Sequence, residues 1–314
     1  MTRQGIAALG EVMVELAPTE IADNYRLGFA GDSFNTAITL ARFGVPTAYA
    51  TALGDDPFSA RILDLLLGEG IEQTLVERYP GRQPGLYAIT NDADGERSFH
   101  YWRSESPARE LWAHDAQRER LERQLRSYSM LYLSGITLAI LRADARTRLL
   151  AFLADYRRDG GSVAFDSNYR PRLWPDAGAA RHAIGEFLHT ATDIALLTLE
   201  DEQLLWGDGD AGAVIQRHSE GAAGEIVIKR GGEPVLLFAD DRLQQVPVPA
   251  VAGIVDTTGA GDAFNAGYLA ARYRGARAES AVQQGNRAAA AVIQRRGGVV
   301  PRDYFQQAMA AAGD

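Results

Sequence analysis

Asp256-Thr257-Thr258-Gly259-Ala260-Gly261-Asp262-Ala263-Phe264 follows the β-prone run Gly253-Ile254-Val255 and leads into Asn265-Ala266-Gly267-Tyr268-Leu269-Ala270-Ala271. The latter string is small and apolar, the composition of a buried helix. Gly259 and Gly261 permit a tight turn, so that several N–H groups at the helix start converge on one point. With the positive end of the helix dipole behind them, these groups form a cradle for an anion. Asp262 lies within it. A carboxylate beside a bound phosphate is electrostatically unfavourable, so its use there is to take a proton from a hydroxyl attacking that phosphate. The plainer alternative is a glycine turn with an aspartate helix cap.

Other phosphate-binding motifs do not fit. A P-loop needs GxxxxGK[ST], and no Lys-Ser or Lys-Thr pair occurs in the chain. Gly259-Ala260-Gly261 supplies two glycines of a dinucleotide fingerprint, but Phe264 stands where the third belongs. No HRD or DFG triplet of a protein kinase is present.

The chain alternates strand and helix patterns, which predicts a mostly parallel sheet covered on both faces. Ile6–Leu9, Thr47–Leu53, Met130–Leu133, Ser162–Phe165, Ile194–Leu197 and Glu225–Lys229 read as buried strands. Phe34–Phe43, Phe58–Glu69, Arg142–Arg158, Ala177–His189 and Gln283–Ile293 read as helices. Two segments interrupt the alternation. Val12–Leu16 has the pattern of a half-buried strand, and Leu86–Thr90 and Arg97–Arg103 flank the turn Asn91-Asp92-Ala93-Asp94-Gly95-Glu96. A small sheet outside the main layers follows, placed to close over a ligand at the carboxyl ends of the parallel strands.

Composition narrows the classes. The 314 residues are 46% hydrophobic, enough for a sizeable core. A net charge of −9 disfavours a nucleic-acid partner but leaves room for an anionic small molecule held by local arginines. No uncharged apolar run reaches membrane-spanning length; Tyr128–Leu141 is broken by Ser129, Ser134, Gly135 and Thr137. With no cysteine, disulfides and thiolate chemistry are excluded, and Thr2-Arg3-Gln4 runs into the first strand without a leader pattern. A cytoplasmic protein is the expectation. Among 32 basic residues Lys229 is the single lysine, in Ile226-Val227-Ile228-Lys229-Arg230-Gly231-Gly232, where a strand meets a glycine turn. It reads as a phosphate partner or as a plain strand-edge cation.

These features resemble the ribokinase-like (PfkB) family of carbohydrate kinases across essentially the whole chain. The likeness is carried by Asp256–Gly267, by Ala30-Gly31-Asp32-Ser33-Phe34-Asn35, and by Leu53-Gly54-Asp55-Asp56-Pro57-Phe58. The second motif commonly begins Gly-Gly, and Ala30 replaces the first glycine here. Within the family the likeness is strongest to kinases of 2-keto-3-deoxygluconate, through Tyr101-Trp102-Arg103, Phe165-Asp166-Ser167-Asn168-Tyr169-Arg170-Pro171-Arg172-Leu173-Trp174, Ala195–Glu202 and Gln294–Arg302. The resemblance implies one three-layer αβα kinase domain over residues 1–314, with lid strands inserted at about 11–31 and 85–103.

It also implies a site. Asp262 would act with the amides of Gly259, Ala260 and Gly261, while Gly31, Asp32 and Asn35 would hold sugar hydroxyls. Asp32 reads equally as the N-cap of the helix at Phe34. Taken alone, Tyr87 and Tyr101 are a cross-strand aromatic pair and Arg103 is a rim charge. The resemblance makes them substrate contacts instead, with Arg103 offering a bidentate fork to a sugar-acid carboxylate. Arg170 is expected to touch that carboxylate or the transferring phosphoryl group. For ATP the resemblance points to Ser167, Asn168, Thr198, Lys229, Gly231, Gly232 and Asn286, and for Mg2+ to Glu202. The asparagine that the family places three positions before that glutamate is Leu199 here. In some relatives carbonyls equivalent to those of Asp256-Thr257-Thr258 line a K+ site. An unpaired lid edge would suit a second copy of the chain. Two rivals stay open, a kinase of a neutral sugar on the same fold and a sugar or nucleotide sensor without catalysis.

Overall fold

The computed structural model describes residues 3–21, 23–91, 97–207 and 209–311. Its strands in chain order are β1 (Ile6–Leu9), β2 (Met13–Pro18), β3 (Tyr25–Ala30), β4 (Thr47–Leu53), β5 (Val76–Arg78), β6 (Leu86–Asn91), β7 (Arg97–Trp102), β8 (Met130–Ser134), β9 (Ser162–Asp166), β10 (Ile194–Thr198), β11 (Glu225–Lys229), β12 (Val235–Ala239) and β13 (Arg242–Val246). Nine of them form one sheet in the order β13-β12-β11-β10-β9-β8-β1-β4-β5. All its neighbours run parallel except β11–β12 and β12–β13, which are antiparallel.

Side-chain alternation explains the layers. Along β1, Ile6 and Ala8 enter an apolar cluster with Phe34, Ile38, Tyr132 and Leu269, whereas Ala7 and Leu9 enter another with Leu131, Leu149, Phe165 and Ile184. A strand buried on both faces favours apolar residues on both, and β1, β4 and β8 are buried throughout and mostly apolar. Helices therefore cover both faces, giving the three-layer arrangement expected of the sequence.

Four strands form the second sheet, in the order β3-β2-β6-β7. The outer pairs β2–β3 and β6–β7 are antiparallel, and β2 and β6 run parallel. The parallel pair arises because the chain leaves the lid after β3, adds β4 and β5 to the main sheet, and re-enters the lid at β6. Residues 92–96 of the expected hairpin turn lie outside the described residues.

Several local expectations are corrected. The helix foreseen from Phe34 spans Asp32–Arg42 with Gly31 as its N-cap, so Asp32 occupies the first turn and is not the cap. After β8 the chain enters a short helix, Gly135–Ile140, started by a capping box between Ser134 and Thr137. Gly253-Ile254-Val255 forms no strand; Ile254 and Val255 are exposed, and Val255 N–H donates to the Ile293 carbonyl at 2.8 Å. Among the described residues no helix is long and apolar enough to cross a membrane.

Candidate active site

The carboxyl ends of the parallel strands deliver the polar residues to one cleft of about 1720 Å3, roofed by the lid. Glu11 follows β1, Ser134 ends β8, Asp166 ends β9, Thr198 ends β10 and Lys229 ends β11. Glu11, Asp166, Thr198 and Lys229 line the cleft.

Its far end is the loop before the helix Ala260–Tyr273. Gly259 caps that helix at φ 75°, and a β-carbon there would stand 2.6 Å from the Gly298 α-carbon, so geometry and space both require glycine. Asp256 holds the loop closed. Its carboxylate accepts from Thr258 N–H at 3.0 Å, Thr258 hydroxyl at 2.7 Å and Gly297 N–H at 2.8 Å. The first intrahelical bond runs from Ala263 N–H to the Gly259 carbonyl, which leaves the amides of Gly261 and Asp262 in the unpaired first turn. Gly259, Ala260, Gly261 and Asp262 all line the cleft, so the anion cradle expected of this stretch has access to a ligand.

Asp262 meets the glycine motif of the other half of the chain. Asn35 Nδ2 donates to Asp262 Oδ2 at 2.8 Å. Withdrawal from water pushes the Asp262 carboxyl up to about 8, and the charges of Asp32 and Asp166 push the same way, against the Asn35 hydrogen bond and the Lys229 cation. Asp32 in turn accepts from Ser134 Oγ and, at 2.9 Å, from Asn168 Nδ2. Asn168 reaches it from a left-handed backbone conformation, φ 31°. Gly31 is extended, and its need for glycine is spatial: a β-carbon would lie 2.1 Å from the Glu11 carbonyl oxygen.

On the lid, Tyr87 and Tyr101 face each other across β6 and β7 with ring centroids 5.7 Å apart. Both line the cleft, and the Tyr87 hydroxyl donates to Glu15. Arg103 is not an exposed rim charge. It is buried, lines the cleft and pairs with Glu11. Arg170 lies half-exposed on the cleft wall, its Nη1 3.1 Å from Asp201 Oδ1.

Lys229 Nζ donates to Asn265 Oδ1 at 2.9 Å and Asp166 Oδ2 at 3.2 Å, while Asn265 Nδ2 donates to Asp166 at 2.6 Å. Nζ also lies 3.7 Å from the place a β-carbon on Gly261 would occupy, directly under the cradle. Asn168, Thr198, Gly231, Gly232 and Asn286 line the same cleft.

Two expected residues are not brought to it. Ser167 is fully buried, does not line the cleft, and its hydroxyl has no hydrogen-bond partner among the described residues. Glu202 is also fully buried; its Oε2 lies 2.9 Å from His218 Nε2. On the helix Leu199–Trp206 the adjacent Glu200 and Asp201 line the cleft instead, because successive helical residues point about 100° apart. Sequence reasoning passed over Glu11, Asp166 and Asn265. The first two carried a signal, an acid at or just past the carboxyl end of a central strand. Asn265 carried none beyond following the glycine loop.

Comparison with known proteins agrees with this geometry. Residues 3–303 match the family described as pfkB family carbohydrate kinase. The chain is 43% identical over 305 residues to 2-dehydro-3-deoxygluconokinase of Escherichia coli (strain K12), covering 95% of this chain and 97% of that protein. A crystal structure of a PfkB protein from Polaromonas sp. JS666 superposes with a TM-score of 0.83 at 27% identity, covering 96% of this chain and 99% of the other. A putative ribokinase II from Escherichia coli, solved in complex with ATP and Mg2+, superposes with a TM-score of 0.83 at 22% identity over 99% of this chain and 100% of its own.

Proposed function

The chain belongs to the pfkB family of carbohydrate kinases, and from that premise we propose that it transfers the γ-phosphoryl group of ATP to the C6 hydroxyl of 2-keto-3-deoxygluconate, the substrate that its 43%-identical relative is named for. The observation that carries the reading is the contact between Asn35 and Asp262. It supports Asp262 as a proton acceptor between the sugar motif and the phosphate cradle.

In the reaction the acceptor hydroxyl lies against Asp262, which takes its proton as the oxygen bonds to phosphorus and the bond to the β-phosphate oxygen breaks. The amides of Gly261 and Asp262 and the Lys229 cation stabilise charge on the equatorial oxygens, whereas the Ala260 amide, expected to join them, donates to the Thr257 carbonyl at 3.2 Å. Gly31, Asp32 and Asn35 orient the sugar, Tyr87 and Tyr101 cover it from the lid, and Arg103 faces its carboxylate. Arg170, beside Asp201, stands at the wall between donor and acceptor. Thr198, Gly231, Gly232 and Asn286 receive the nucleotide.

Among the described residues no three metal-binding side chains cluster, and the two carboxylates Glu200 and Asp201 on the cleft wall fit a hard cation that stays largely with phosphate and water. Magnesium would be held, through water, by Glu200 and Asp201, not by the buried Glu202, and would supply neutralisation of the phosphates. Potassium would bind at the Asp256–Thr258 carbonyls, a site tested by exchanging K+ for Na+ in the assay. A second copy across the lid edge, where Trp102 on β7 is exposed, is tested by solution mass.

ADP release measured across keto-deoxy sugar acids and neutral sugars tests the acceptor. Turnover of 2-keto-3-deoxygluconate is expected, with an apparent KM that rises strongly in Arg103→Ala. Equal turnover of fructose, indifferent to Arg103, would assign the chain to neutral sugars.

A further inference from the structure

Glu11 is 2% exposed and Arg103 9%, and both line the acceptor end of the cleft. Arg103 Nη2 donates to Glu11 Oε2, while Glu11 Oε1 and Arg103 Nε have no hydrogen-bond partner among the described residues. The pair is therefore buried but incompletely satisfied, its hydrogen bond supplemented by the Arg103 guanidinium 5.9 Å from the Tyr101 ring centroid. Gly85 leaves it room: a β-carbon there would stand 2.8 Å from Glu11 Oε1 and 3.0 Å from the Arg103 β-carbon. The surroundings are acidic. Asp32 and Asp262 line the same end, and Glu15 lies behind Tyr87. An anionic sugar entering here meets an arginine that is already engaged.

Resting on the sugar-acid reading above, we infer that Glu11 is a specificity-determining residue that competes with the substrate carboxylate for Arg103 and thereby sets how tightly the sugar acid is held. Before substrate arrives, Glu11 supplies the counter-charge without which a buried guanidinium destabilises the fold. Once substrate is bound, two carboxylates share one guanidinium and repel each other. After transfer, the product carries a phosphate as well as the carboxylate, and Glu11 reclaiming Arg103 speeds its release.

The test compares wild type with Glu11→Gln in three measurements: melting temperature without ligand, its rise on adding 2-keto-3-deoxygluconate, and KM and kcat for that sugar acid with ATP. Glu11→Gln leaves Arg103 uncompensated. The unliganded protein should melt lower, the ligand-induced rise should be larger, and KM should fall by about tenfold, as for the loss of a close charge coupling. A merely structural role would lower the melting temperature without tightening KM. Glu11→Asp, which keeps the charge on a shorter arm, should fall between the two and serves if the glutamine variant does not fold. A KM unchanged or raised in the variants overturns the inference while the wild type still turns over the sugar acid. A wild type that phosphorylates neutral sugars and no sugar acid overturns the acceptor reading itself, and the competition with it.

Discussion

Asn35 donates its side-chain amide to Asp262 at 2.8 Å from a position 227 residues earlier in the chain. Neither residue is placed by its own segment alone. The helix Asp32–Arg42 and the helix Ala260–Tyr273 pack against each other through Phe34, Ile38, Leu269 and neighbouring apolar residues, and this packing brings the two polar side chains together. The group that would hold the sugar thus also favours the ionised form of the base, against the larger effect of its burial.

The acid limb of kcat/KM should report Asp262. Its carboxyl, pushed up to about 8 chiefly by withdrawal from water, is the active base only when ionised. Activity of the free enzyme toward the acceptor should therefore rise with pH up to about 8 and level off above it. Asn35→Ala removes the hydrogen bond that favours the ionised form, so the limb should move to higher pH. A limb that stays in place in that variant would show that another group titrates.

The same shift has a consequence for stability. Asp262 binds its proton more tightly folded than unfolded, so stability falls as pH rises from about 4 towards about 8 and changes no further above that. Asp262→Asn has no proton to lose. Its melting temperature should match the wild type near pH 4 and exceed it by a margin that grows to about pH 8. A margin independent of pH would mean that the carboxyl keeps an ordinary affinity for protons.

Lys229→Met should cost about 3–5 kcal/mol in a urea melt, the usual penalty for stranding one member of a buried ion pair. The stranded group is Asp166, 3% exposed and left with Asn265 as its remaining side-chain donor. Because the Lys229 cation also holds the Asp262 carboxyl down, the acid limb should move up in the same variant.

Gly259→Ala should lose stability by about 1–3 kcal/mol and lose most activity. The left-handed backbone at φ 75° is strained for alanine, and the added methyl group meets Gly298. Full activity with an unchanged melt would show that the cradle does not depend on this turn.

The layers of the fold were legible because parallel strands buried on both faces read as near-continuous apolar runs, as β1 does throughout and β4 and β8 do apart from Thr47, Thr51 and Ser134. β13 was not, since Arg242-Leu243-Gln244-Gln245 is exposed on an antiparallel edge where no apolar pattern is demanded. Site residues on tight turns were readable because their glycines have no structural substitute, Gly259 and Gly31 above all. Those on helices and strand ends depended on side-chain direction. Glu202 and Asp201 are neighbours in sequence, yet one packs against His218 in the interior and the other meets Arg170 at the cleft. Glu11 and Arg103 illustrate the remaining difficulty, as nothing local to either residue announces a partner 92 positions away.

Turnover of Asp262→Asn with saturating 2-keto-3-deoxygluconate, measured beside its affinity for ATP, tests the proton-acceptor role most directly. A fall in kcat of ~100–10,000-fold with ATP affinity essentially retained is the expected result. A variant that phosphorylates the sugar acid at the wild-type rate would contradict it.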